Sequence, residues 1–383
     1  MSEARMKAIV TFILVRTLMA DQLPPIYFYL PKYKKIPPEL LKADVLSFWK
    51  WQSVEGRWKV MKDGEFAWVM QTYLRLREAN FPCQLTGTLP EQGIVLAHRR
   101  SLPYGFKPTS KVLVICIEAD QPSHPFAQCR VVQNPTKLGN SLEVLHHDIK
   151  VSQLTSKASY FMPHWPQIGL IPRDLERGDR FENIDYFGTG DNLAPELLDH
   201  SWADKLQDMG LTWHFRSRDH YVTRNSEQIN SWNDYSSVDA VVAVRNFHGD
   251  DCTHKPATKL YNCWHAGVPA ILGPDSAFRA ERKSELDYIE VTSIDDLITA
   301  LSRLQWDKKL YQNMIENGKR RAQETTTQAL VNRWSHFLMN VAVPAYDRWR
   351  YSSHFSQQWF LFRCQLYEKV NSIKHRLPVQ PTL

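Results

Sequence analysis

The 383-residue sequence lacks several signatures that would classify a protein at once. Its six cysteines (83, 116, 129, 252, 263 and 364) include no C-x-x-C pair. Such scatter excludes a disulfide frame and a thiolate zinc site, and reads as reduced core thiols of a cytoplasmic protein. No apolar run is long enough to span a bilayer: the one candidate, residues 8–15, stops at Arg16. No small-residue cleavage site follows it, so it reads as a first helix or an interfacial anchor rather than a signal peptide. The chain has no G-x-G-x-x-G fingerprint and no D-x-D pair. Internal repeats and low-complexity tracts are absent. The net charge of +6 suits an anionic ligand or an acidic membrane surface. It does not form the dense basic stripe of a nucleic-acid binder.

What is present points to a large α/β protein. At 43% hydrophobic and 23% charged residues, the composition is globular, and the length suits two domains. Residues 63–79 carry apolar side chains at helical spacing, and 93–98, 111–117 and 130–133 read as buried strands. Apolar strands separated by helices predict a parallel sheet covered on both faces. Residues 163–180 hold Pro163, Pro166, Pro172, Gly169 and Gly178 and read as a linker. A second series follows: strands at 183–187, 211–215, 238–244, 268–272 and 288–291, and helices at 193–209, 259–265, 294–304 and 308–324. The stretch from 328 to about 374 reads as mostly helical, with Pro344 marking a break. The expected architecture is two Rossmann-like domains facing across a cleft, residues 1–165 and 166–335. A helical tail, 336–383, crosses back to the first domain.

The most informative segment is 253–274, THKPATKLYNCWHAGVPAILGP. Pro256 suits the first position of a helix and Gly267 its stop, so a helix over 256–266 is expected. Its N-terminus would point beyond strand 238–244 and form an anion site. Lys255, Lys259 and Asn262 fall on one stripe of that helix. Arg245 ends the preceding strand. Three cations and a helix start converging on one spot suit a diphosphate. The competing reading is a solvated helix face with ordinary surface lysines.

The segment KPATKLYNCWHAGVPAILG resembles the donor-binding region of GT-B glycosyltransferases, where a helix and an A-x-G-x-P turn hold a nucleotide-sugar. Residues 165–334 are similar to bacterial family-1-type glycosyltransferases through WPQIGLIPRD, RGDRFENIDYFG, VDAVVAVR and SELDYIEVTS as well. The resemblance implies a nucleoside-diphosphate-sugar donor in the second domain and a carbohydrate or lipid-linked acceptor at the first. No separate cofactor and no resident metal are expected. One departure stands out. Many retaining GT-B enzymes carry two glutamates before the turn, and the matching positions here are His254 and Asn262. A lysine at 259 is similar to fucosyltransferase-like enzymes, where it meets the diphosphate, and this implies an inverting transfer.

An inverting transfer needs a general base near the acceptor hydroxyl. Asp120, His98 and Glu118 all fall at strand ends of the first domain. The plain alternative for each is a cap or a surface pair. Gly188 and Gly190 follow the first strand of the second domain, where glycine either lets backbone approach a ligand or forms a plain tight turn. The segment Gly273 to Ser276, after VPAIL, lies at the same sheet edge, within reach of the donor sugar. His146, His147 and Asp148 read as a surface loop, and Gly249, Asp250 and Asp251 as a loop ahead of the lysine helix. The tail is basic and aromatic. Two readings stand for it: packing on the first domain, or a peripheral contact at the inner face of a membrane. Rival functions on the same scaffold are a nucleotide-sugar epimerase or hydrolase and a non-catalytic nucleotide- or carbohydrate-binding protein.

Overall fold

The computed structural model describes residues 23–52, 63–103, 106, 108–138, 158–217, 232–249 and 252–374. The first half builds a six-stranded parallel sheet from β1 (Ile26–Tyr29), β2 (Gln84–Thr86), β3 (Gly93–His98), β4 (Val112–Ile117), β5 (Cys129–Val132) and β6 (Ala158–Phe161). Its order is β2-β1-β3-β4-β5-β6. The sequences GIVLAH and VLVICI are buried at every position, as a central parallel strand covered on both faces requires. Alternation then decides which face each residue serves. Ile94, Leu96, Leu113 and Ile115 pack with Phe48, Leu74 and Trp334 on one side. Val95, Ala97, Val114 and Cys116 pack with Phe106, Phe126 and Cys364 on the other.

The second half repeats the plan with five parallel strands: β7 (Asn183–Gly188), β8 (Thr212–Ser217), β9 (Ala240–Ala243), β10 (Ala270–Leu272) and β11 (Ile289–Glu290). Its order is β11-β10-β9-β7-β8. In each sheet the second strand pairs on one side of the first and the third strand on the other. That reversal opens a crevice at the carboxyl ends, between β1 and β3 and between β7 and β9.

Helix α1 (Thr258–Ala266) connects β9 to β10. It starts two residues later than expected. Tyr261 N donates to Ala257 O, so Ala257 is the cap and Pro256 lies outside. It ends as expected: Gly267 adopts φ +70°, Gly267 N bonds Trp264 O, and Val268 N bonds Cys263 O. This is the paired geometry of a left-handed helix stop. The helix expected over 193–209 divides into a short turn, Pro195–Leu197, and His200–Asp208, because the Asp199 carboxylate accepts from Ser201 N and starts a new helix there.

The chain then returns to the first sheet. Helices α2 (Thr327–Phe337), α3 (Val343–Tyr351) and α4 (His354–Lys374) follow one another. Pro344 does not break them. The wide turn Leu338–Ala342, closed by Val343 N on Leu338 O, lies just before the proline and opens the helix where its ring would otherwise crowd the preceding turn. The break falls instead at Ser352, with ψ 154°. Leu330, Trp334, Phe337 and Trp349 join the first core on one face of the sheet, and Cys364 joins it on the other.

Candidate functional site

The carboxyl edges of the two sheets meet. Lys255 Nζ lies 3.4 Å from Asp120 Oδ2. Gln133 Nε2 donates to His254 O at 2.9 Å, and Asn134 Nδ2 to Ser276 Oγ at 3.0 Å. These contacts join the ends of β4 and β5 to the segment before α1 and to the turn after β10. They fix a cleft whose two walls come from the two halves of the chain.

On the second wall, the crevice between β7 and β9 is lined as its topology predicts. Arg245 follows β9, and Gly188 closes β7. A Cβ at Gly188 would collide with the Tyr186 hydroxyl, which donates to Thr189 O at 2.8 Å. Glycine there gives the Tyr186 ring its place. Lys259, in the first turn of α1, lies with its ammonium 5.4 Å from that ring's centre. The start of α1 has no side-chain cap, so its first N–H groups lack the usual partner.

Electrostatics separate the three cations. Arg245 is paired with Asp275 and approaches Asn192 Oδ1 at 3.5 Å. Lys255 is shared with Asp120. Lys259 has no carboxylate within ion-pair distance among the described residues. Loss of water is the largest influence on it, and Arg245 and Lys255 add to this, bringing its ammonium down to about 7. A partly buried cation without a counterion is a common mark of a ligand site.

The first wall sorts the expected bases. His98 is buried and committed. Its Nδ1 accepts from Arg100 N at 3.2 Å, and its Nε2 edge packs against the backbone of Gly64, where a Cβ would come within 2.8 Å. Desolvation lowers it to about 4. Glu118 is buried between Arg130 and Lys137, each at 3.4 Å. Asp120 is exposed at the cleft. Ala119 before it adopts φ +47°, which an alanine holds at a cost of about 1–2 kcal/mol. Its carbonyl accepts from Gln133 Nε2, tying that conformation to the bridge.

Asn262 departs from expectation. It is buried, and its Oδ1 accepts from Gln167 N at 3.0 Å, so it anchors the linker rather than facing the cleft. Ser276 is engaged by Asn134 across the cleft. Sequence reasoning missed Tyr186, Gln133 and Asn134. It also missed His164 in the linker, whose Nδ1 donates to Trp165 O at 2.6 Å and leaves Nε2 as an acceptor. A shallow depression of about 290 Å³ near Arg177, Arg180 and Ser237 lies at the opposite, amino-terminal edge of the second sheet. It is remote from this cleft. His146, His147, Asp148, Asp250 and Asp251 lie outside the described residues. Among the described residues no cluster of His, Cys, Asp and Glu has the grouping of a metal set.

The Lys259 geometry has a stability consequence. An unfolded lysine titrates near 10.5, so between pH 7 and 10.5 the unfolded chain binds the extra proton and stability rises with pH. Below about pH 7 the folded protein carries the desolvated ammonium. Lys259→Met should therefore raise the ligand-free melting midpoint by about 2–4 °C at pH 6.5 and flatten its rise between pH 7 and 9. Differential scanning calorimetry checks this; a variant less stable at every pH would contradict it.

No family model matches the sequence, and no curated protein does. Among solved structures, the chain is similar to HepE of Anabaena in complex with UDP and glucose, at 11% identity over 83% of this chain and 100% of that one, TM-score 0.47. It is similar to sucrose-phosphate synthase from Thermosynechococcus elongatus at 12% identity over 76% and 80% of the two chains, TM-score 0.45. It is also similar to the pneumococcal O-GlcNAc transferase GtfA in complex with UDP and GlcNAc, at 10% identity over 73% and 60%, TM-score 0.40.

Proposed function

We propose that this protein is a glycosyltransferase that moves a sugar from a nucleoside-diphosphate-sugar to a hydroxyl acceptor. The observation that carries the reading is Lys259: an ammonium with no counterion among the described residues, beside Arg245 and Lys255, at an uncapped helix start in the β7–β9 crevice. In this reading the diphosphate of the donor lies there. Negative charge grows on the leaving diphosphate as the glycosidic bond breaks, and fixed cations and N–H groups stabilise that charge without reorganising. The sequence resemblance supplies the sugar; the cation cluster supplies the reason for a diphosphate.

The acceptor lies against the first wall in the same reading, and Asp120 takes the proton of its hydroxyl. Of the three carboxylate and imidazole candidates it is the one with an exposed side chain. Lys255 then has two roles in sequence. It pairs with Asp120 and moves toward the diphosphate when the donor enters, leaving the carboxylate free to act as a base. We read the transfer as inverting, with charge stabilisation supplied by the protein's own cations, and the acceptor as a carbohydrate or a lipid-linked glycan.

A melting-shift panel of UDP, GDP, ADP and dTDP tests the donor site. At least one should stabilise the wild type, and Lys259→Met should weaken that nucleotide by about 10- to 100-fold, the usual range for a charged hydrogen bond. Unchanged affinity would remove the assignment. With the matching sugar donor, Asp120→Asn should lower nucleotide release by about 10²-fold or more while nucleotide affinity is kept. Full turnover in that variant would exclude Asp120 as the base.

A further inference from the structure

The last helix, α4, has two apolar faces. The inner face anchors it to the first half of the chain. Gln357 Nε2 donates to Trp349 O at 2.8 Å, the Phe360 ring meets Trp349 edge-on at 5.2 Å, and Cys364 Sγ reaches Pro125 O at 3.2 Å. The outer face carries Phe355, Trp359, Phe362 and Leu366, exposed by 77%, 52%, 54% and 53%. Their spacing of four, three and four residues aligns them in one stripe along the helix. Trp359 and Phe362 stack at 5.9 Å. Tyr351, just before α4, is also exposed, with the Arg350 guanidinium over its ring.

Packing therefore answers half of what the tail sequence posed. Residues 357, 360 and 364 satisfy the crossing helix, while a second stripe remains outside. Four large side chains, each half exposed or more, present on the order of 400 Å² of apolar surface, the size of patch that marks an interaction site. No described residue covers it. Its surroundings are basic: Arg348, Arg350, Arg363 and Lys369 are exposed around the stripe, with Asp347 half-buried nearby.

We propose that this outer face is a docking surface for an anionic lipid bilayer. The aromatic stripe would enter the headgroup boundary, and the flanking cations would lie among the phosphates. Charge complementarity favours lipid over a second copy of the chain. A two-fold pairing of this face would set Arg363 near the middle of the stripe against its own copy, and like charges there oppose association. No helix among the described residues is long and apolar enough to cross a membrane, so the contact is peripheral. This inference is independent of the reaction proposed above.

Co-sedimentation of the full chain with vesicles tests it. Vesicles of phosphatidylcholine with 30% phosphatidylglycerol should carry the protein down, and pure phosphatidylcholine should do so much less. F355Q/W359Q/F362Q should reduce the bound fraction at least tenfold with an unchanged melting midpoint, since these side chains are exposed. R363Q/K369Q should weaken binding several-fold on anionic vesicles alone, and added salt should mimic it. Equal recovery with and without anionic lipid would overturn the proposal, as would full binding by the aromatic variant. A wild-type dimer by light scattering that the aromatic variant converts to a monomer, with no vesicle binding by either, would assign the face to a second copy instead.

Discussion

An ammonium group drawn out of water needs a negative partner, or it loses its proton. Lys259 has neither a described carboxylate beside it nor full solvent, and it lies near Arg245 and Lys255, which oppose its charge further. A site of this kind carries an internal conflict that a bound anion resolves. Neighbouring groups fix the position of that lysine. Gly188 admits the Tyr186 ring, the ring supports the lysine, and the left-handed stop at Gly267 sets α1 between β9 and β10. Stability and binding are linked here: the ligand-free protein is weakened where the site would bind most strongly.

Three polar contacts among the described residues tie the first half to that site. Lys255 with Asp120, Gln133 with His254 and Asn134 with Ser276 span the cleft at its mouth. Exposed pairs such as Lys255–Asp120 contribute little to stability, about 0–1 kcal/mol. They are therefore inexpensive to exchange for a ligand. Direct contact between the walls is thus compatible with opening, whereas the helical return through Trp334 and Trp349 is buried and holds the halves together as one chain.

Much of the architecture was legible because buried parallel strands are written as unbroken apolar runs. GIVLAH, VLVICI and VDAVVAV could hardly be read otherwise. The β2 and β6 strands escaped notice, since QLT and ASYF are short and carry no such run, and β1 was passed over although IYFY is apolar throughout. Spacing at a helix start made the grouping of Arg245, Lys255 and Lys259 legible. What spacing cannot tell is which neighbour already holds each group. Asn262 shares the lysine stripe in sequence, yet it turns to the linker. His98 and Glu118 end strands as Asp120 does, but a backbone N–H claims one and two cations claim the other. Pro344 looked like a stop because a wide helical turn leaves no mark in the sequence.

The most direct test of the central claim is a count of protons. With Lys259 near 7 in the free protein, most of it is neutral at pH 8, and a diphosphate seated beside it would restore the charge. Titration calorimetry of the nucleoside diphosphate at pH 8, in buffers of different ionisation enthalpy, should report uptake approaching one proton per ligand bound. The uptake should fall toward zero at pH 6 and vanish in Lys259→Met. Binding at pH 8 with no proton uptake would mean that the anion lies elsewhere, and the account of this cleft would fail.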